Sequence, residues 1–265
     1  MEEQKIADYD ILGNIAVIKG EGKTKKVKLA QARNLIKRPS IKTVVEKVGN
    51  VKGRLRTIGV KHILGEKNLI SDYKENNAKF KFNVSSCYFS SRLSGERKAI
   101  AEKIKMKNKV LVMFAGVGVF PIVIYKYSKP AKIVGIEIGK DCCKYFKENL
   151  ILNKIPKGKI EVVQGDVKKK ISKEFIKKYG QFSIVIMARP NLDMTFLEWG
   201  LKASKKGTRL FYHAFCNIDE IDGEVKKLVK EGKELGRKLK VVKVVRAGDI
   251  APYKFRYRVE FKVMD

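Results

Sequence analysis

Histidine and cysteine are scarce in this chain, and their scarcity excludes whole classes of chemistry. His62 and His213 are the only histidines and stand far apart, while the four cysteines show no CxxC or Cys/His spacing. Neither a metal site nor a disulfide framework is expected from such a set. Cys142 and Cys143 are adjacent, Cys87 and Cys216 are isolated, and all four read as ordinary buried thiols. His213, inside the apolar FYHAF, reads as a satisfied core histidine. Acidic residues are short too. Only 28 Asp and Glu face 59 Lys and Arg, a net charge of +31. A heat-adapted surface raises Glu together with Lys. Here Glu does not keep pace, so the excess points to a polyanionic partner, nucleic acid. No stretch approaches the ~20 apolar residues of a spanning helix, which argues against a membrane partner. The opening MEEQKIADYD is acidic and polar, unlike a secretory leader. A cytoplasmic, monomeric protein is expected, since no heptad pattern argues for assembly. Repeats and low-complexity tracts are lacking as well.

What is present is a full hydrophobic inventory. With 265 residues, 44% of them apolar, the chain can fold as a large domain with a smaller one. From Lys109 onward, β-branched runs alternate with helical patterns: KVLVMFA (109–115), KIVGIEI (132–138), KIEVVQG (159–165), FSIVIMA (182–188), TRLFYHAF (208–215), VVKVVRA (241–247) and YRVEFKV (257–263). Such alternation predicts a doubly wound α/β fold with a parallel sheet. The last two runs are joined by RAGDIAPYKFR, too short for a helical crossover, so they are expected to be antiparallel neighbours. Seven strands ending in a reversed hairpin is a Rossmann-like methyltransferase layout. Residues 1–85 read instead as a small α+β domain, with 86–265 as the sheet domain. In the former, YDILGNIAVIKG (9–20) suggests a strand. VKLAQARNLIKRPSIKTVVEKVG (27–49) shows helical periodicity around a break at Pro39, and 62–84 reads as short strands and turns.

The stretch VMFAGVGVF (112–120) places Gly116 and Gly118 at the carboxyl end of the first sheet strand, where an open α/β sheet forms its ligand crevice. Glu137 lies 21 residues beyond Gly116, near the offset at which an acid accepts bonds from ribose hydroxyls. Asp166, in VVQGDV, ends the third strand, where an acid can meet an adenine amino group. Three such features on three consecutive strands point to a nucleoside-containing cofactor.

YKENNAKFKFNVSSCYFSSRLSGER, then VMFAGVGVF, IVGIEI, KYFKENLILNK and APYKFRYRVEFKV together resemble the archaeal/eukaryotic tRNA (guanine-37-N1) methyltransferase family. A sister group sharing the same body transfers an aminocarboxypropyl group in the wyosine pathway. The resemblance covers roughly residues 9–265, without the N-terminal domain that many members use to check the tRNA elbow. It implies S-adenosylmethionine as cofactor and tRNA as partner, with methylation of N1 of guanine 37 as the reaction. SRLSGER and FAGVGVF favour methyl transfer, whereas Glu137, where methyltransferases more often carry Asp, leans toward the sister. N1 of guanine holds a proton at neutral pH, so the reaction needs a base and a cation near O6. By the resemblance, Glu96 is the base and Arg56 the cation. Tyr88, Arg92, Phe114, Gly116, Gly118, Glu137, Asp166 and Pro190 would hold the cofactor.

The chain departs from the family pattern at three places. Val112 stands where the glycine motif opens with Asp; Ala188-Arg189-Pro190 replaces Asn-Leu-Pro; and Glu137-Ile138-Gly139-Lys140 lacks the usual Asn-Pro. Ala188 cannot make the hydrogen bonds of the asparagine it replaces. RNA is expected on the basic loop from Lys47 through Lys52 and Arg54 to Arg56, and on the carboxyl-terminal loop around Lys254 and Arg256. Tyr253, Phe255 and Tyr257 interleave with the latter charges, as aromatics that stack on unpaired bases do. A non-catalytic tRNA-binding homologue is the alternative from another class.

Overall fold

The computed structural model describes residues 9–20, 22–53, 57–188 and 194–265, with side chains at all of these but 50–52. They form two compact units, Met1–Ser91 and Arg92–Asp265.

In the first unit, the run 9–20 makes two strands rather than one. Gly13, at φ 60°, turns the chain between β1 (Tyr9–Leu12) and its antiparallel partner β2 (Ile15–Lys19). Helix α1 (Lys25–Ile36) starts where the Thr24 side chain accepts a bond from the Val27 N–H. Helical periodicity does not resume after Pro39. The β-branched TVVEKV there forms β3 (Thr43–Lys52), parallel to β2. The backbone of Lys47 and Lys52 therefore belongs to a strand paired with β4 (Thr57–Gly65), and not to a loop. Ala32 and Leu35 of α1 are buried in a cluster with Ile18 and Val44. A separate hairpin follows, β5 (Ile70–Glu75) with β6 (Ala78–Asn83).

The second unit begins with α2 (Ser94–Ala101) and then alternates as the sequence pattern predicts. Its elements are β7 (Lys109–Met113), α3 (Val119–Ser128), β8 (Lys132–Glu137), α4 (Lys140–Leu152), β9 (Ile160–Gln164), α5 (Val167–Lys170), α6 (Lys173–Tyr179), β10 (Phe182–Met187), α7 (Leu197–Lys202), β11 (Ser204–Asn217), α8 (Ile221–Glu234), β12 (Leu239–Ala251) and β13 (Lys254–Val263). The seven strands run in the order β12-β13-β11-β10-β7-β8-β9. Only β13 is reversed, inserted antiparallel between β11 and β12. Strand order changes direction between β7 and β10, which is where such a sheet opens a ligand crevice. The expected carboxyl-terminal loop is shorter than its sequence suggests. Lys254 and Arg256 lie on β13, which pairs on both sides, and only Pro252-Tyr253 forms the turn.

Strand β11 and strand β13 divide their side chains between two chemistries. Leu210, Tyr212, Tyr257, Val259 and Phe261 point into one apolar core, shared with Leu228 of α8. The alternate positions carry Arg209, His213, Arg258 and Glu260, three of them buried charged or polar side chains.

Candidate active site

Pairing registers align the carboxyl ends of β7, β8 and β10 with an interior level of β11, which runs on to Asn217. Met113 pairs with both Ile136 and Met187, and Met187 pairs with Tyr212. The next residue on each strand is therefore Glu137 on β8, Phe114 after β7, Ala188 after β10 and His213 on β11. These four residues form the row that follows the paired level of Ile136, Met113, Met187 and Tyr212.

The β7–β8 end of that row holds the glycine turn. Gly116 has φ 56° and Gly118 φ 88°, conformations that side chains disfavour. A Cβ on Gly116 would meet nothing within 4 Å, so its backbone borders open space. A Cβ on Gly118 would lie 2.0 Å from the Phe146 ring of α4. Asn149, also on α4 and fully buried, donates its Nδ2 to the Val117 carbonyl between the two glycines at 3.0 Å. The helix after the second sheet strand thus fixes the turn after the first. Phe114 is itself at φ 61° and meets Phe196 edge-on at 5.0 Å.

Glu137 ties the two strand ends together. Its Oε2 accepts the Gly116 N–H at 2.8 Å and its Oε1 the Gly139 N–H at 2.7 Å. Burial pushes its carboxyl group above the ordinary value, and the backbone donors work against that. A carboxylate offers about four lone-pair sites, so these bonds leave room for a ribose hydroxyl. The open face at Gly116 and this remaining capacity fit a nucleoside cofactor. Asp166 has a second occupation, since it caps α5 by accepting the Lys168 N–H at 3.0 Å. Val112 is fully buried in β7, so the position is part of the core.

The β11 end of the row holds a buried charge cluster. Glu96, in the first turn of α2, is 8% exposed, beside His213 at 2% and Arg258 at 4%. His213 Nε2 lies 3.2 Å from Glu96 Oε1, and Arg258 Nη1 donates to Glu96 Oε2. Arg258 Nε also donates to Glu260 at 2.9 Å, and Lys103 and Arg209 reach Glu260 at 3.3 and 3.0 Å. Burial holds His213 below the ordinary imidazole value, with Glu96 opposing and Arg256 and Arg258 reinforcing. Burial pushes Glu260 up, but Arg258 and Lys103 outweigh it and leave its carboxyl group lowered.

Tyr88, 40% exposed, lies after β6 in the first unit, and Arg92 is exposed at the start of the second. Arg54, Arg56 and Pro190 lie outside the described residues, as does the Lys52 side chain. Sequence reasoning passed over Phe146, Asn149 and Arg258 and gave His213 no role at the site. Arg258 and Glu260 leave little trace, because every second residue of β13 from Lys254 to Lys262 is charged.

Comparison with known proteins places this geometry in context. Residues 71–245 match the family model of the TRM5/TYW2 methyltransferase domain, and residues 1–68 match the TYW2 N-terminal domain. A Dictyostelium discoideum tRNA (guanine(37)-N(1))-methyltransferase is 28% identical over 239 residues, covering 86% of this chain and 51% of that protein. The chain thus spans about half the length of that relative. A Nanoarchaeum equitans tRNA (guanine(37)-N(1))/4-demethylwyosine(37)-methyltransferase, Taw22, is 32% identical over 233 residues, 85% of this chain and 77% of that protein. The crystal structure of Trm5b from Pyrococcus abyssi matches with a TM-score of 0.84 at 27% identity, covering 97% of this chain and 75% of the other.

Proposed function

We propose that this chain, which belongs to the TRM5/TYW2 methyltransferase family, transfers the methyl group of S-adenosylmethionine to N1 of guanine 37 in tRNA. The observation that carries the reading is the row of Glu137, Phe114, Ala188 and His213. The nucleoside-binding features stand at β7 and β8, and a carboxylate that can serve as base is held over β11, with Phe114 and Ala188 between.

S-adenosylmethionine supplies an electrophilic methyl carbon on a positively charged sulfur. Gly116 and Gly118 would give its backbone approach, Glu137 a ribose contact and Asp166 a contact to the adenine amino group, with Phe114, Pro190, Tyr88 and Arg92 as the further cofactor-binding residues that the family resemblance implies. Glu96 takes the N1 proton as the N1 lone pair bonds to the methyl carbon. The carbon–sulfur bond breaks, and its electron pair leaves with S-adenosylhomocysteine. Arg56 steadies the charge that moves onto O6 of the purine. The first unit serves as the RNA-positioning domain, with Lys47, Lys52 and Arg54 on tRNA phosphates, joined by Lys254 and Arg256 from the second.

One observation favours a second reading. The match of residues 1–68 to the TYW2 N-terminal domain supports aminocarboxypropyl transfer to a wyosine precursor on the same site. Nucleoside mass spectrometry separates the two. A transcript with guanine 37, incubated with protein and S-adenosylmethionine, is expected to yield 1-methylguanosine. Glu96→Gln should lower that yield per unit time by about 10²–10⁴-fold with tRNA affinity unchanged. An aminocarboxypropyl product on precursor tRNA, with no methylated guanosine, would establish the second reading instead.

A further inference from the structure

We propose that His213 and Arg258 are positioning residues of the transfer reaction, gripping the Glu96 carboxylate by its two oxygens so that its remaining lone pairs face the purine. This rests on the reading of Glu96 as base.

The geometry supplies the argument. His213 and Arg258 are directly opposite one another on antiparallel β11 and β13. Cross-strand partners keep a fixed separation, about 4.5–5.5 Å between backbones, so the two donors form a rigid pair. Glu96 comes down on them from α2, and each donor takes a different oxygen. A single partner would satisfy a buried acid and still let it rotate; two donors from a fixed pair do not. Arg258 is itself held by Glu260, which Lys103 and Arg209 hold in turn. The gripping cation therefore cannot swing away with the carboxylate. This chain of contacts reaches the level at which β10 ends, because His213 follows Tyr212, which is registered with Met187. A purely structural ion pair has no reason to sit in the row that begins with Glu137 and the glycine turn.

An ionised carboxylate only accepts hydrogen bonds. His213 must then carry its hydrogen on Nε2, and that tautomer is observable. The chain has two histidines, so its imidazole ¹⁵N spectrum contains two spin systems. His213 is expected as the neutral Nε2–H form near pH 7.5; an Nδ1–H form overturns the proposal.

The kinetic test compares His213→Phe, which keeps a ring and loses the donor, with His213→Gln, which returns an N–H at similar reach. Single-turnover formation of 1-methylguanosine should fall about 10–100-fold in the Phe variant, with tRNA affinity within twofold. The Gln variant should recover to within threefold of the parent. Equal rates in all three, or a Gln variant as slow as the Phe variant, would overturn the assignment. If the Phe variant does not fold, the Gln variant and the tautomer decide. A parent protein that makes no 1-methylguanosine fails at the reaction itself, an outcome distinct from an active parent that His213→Phe leaves unchanged.

Discussion

Gly118 concentrates two constraints in one residue. Its φ of 88° is disfavoured for any side chain, and a Cβ would lie 2.0 Å from Phe146. The left-handed backbone costs roughly 1–2 kcal/mol, and forcing a methyl group into packed surroundings adds about 1–3 kcal/mol. Gly118→Ala is therefore expected to lose on the order of 2–5 kcal/mol of stability, read as a lowered denaturation midpoint. Gly116→Ala meets no steric neighbour and should pay only the backbone part. Equal losses in the two variants would show that Phe146 yields. At this scale the site was half legible in the sequence. The glycines and Glu137 announce themselves by spacing, because a strand, a turn and the next strand end at a fixed distance along the chain. The grip on Glu96 does not, because its partners are 117 and 162 residues away. No local pattern encodes that pairing, and only the insertion of β13 beside β11 brings it about.

At the scale of elements, the β11–β13 pair makes stability depend on pH. The charged groups facing the His213 ring are Glu96 from α2 and Arg256 and Arg258 from β13, with burial as the dominant influence. Because the folded value is depressed, the unfolded chain binds a proton near pH 6.5 that the folded chain binds only at lower pH. The contribution of His213 is full above that value. It is lost as pH falls toward the depressed folded value, by up to about 1.4 kcal/mol for each pH unit. Denaturant midpoints should therefore drop between pH 7.5 and 5.5, and His213→Gln should flatten the drop. A slope that survives the substitution would place its origin in another group. The strands of this sheet were legible because each is a β-branched run bounded by turn residues. The segment after Pro39 was not, because VVEKV satisfies a short helical period and a strand equally well. Pairing with β2 decides between them. For the same reason the basic stretch from Lys47 reads as a loop until β4 supplies its partner.

At the scale of the whole molecule, the charge of +31 is the dominant physical property. Among the described residues, stretches of the surface carry bases without acids of their own. Helix α1 carries Lys25, Lys26, Lys28 and Arg33 and no acid, with Lys28 paired to Glu46 of β3 at 2.5 Å, and β12 presents Lys240 and Lys243 among exposed valines. Ion pairs among the described residues, such as those at Glu46, Glu96, Glu161 and Glu260, each use one of the chain's 28 acids, so they cannot offset 59 bases. An uncompensated surface of this kind binds a polyanion chiefly by releasing its counterions, with a log–log salt slope near −0.7 per phosphate on a single strand. If five phosphates are engaged, tRNA affinity should fall by about 10²-fold between 50 and 200 mM salt. Replacing Lys47 or Lys254 with Ala should weaken binding on all tRNAs alike and reduce the slope by roughly one contact each. Fluorescence anisotropy on a labelled anticodon stem-loop measures both quantities. A slope near zero would mean that the charge serves some purpose other than RNA. A steep slope that neither variant reduces would keep RNA as the partner and move its path to the lysines of α1 and β12.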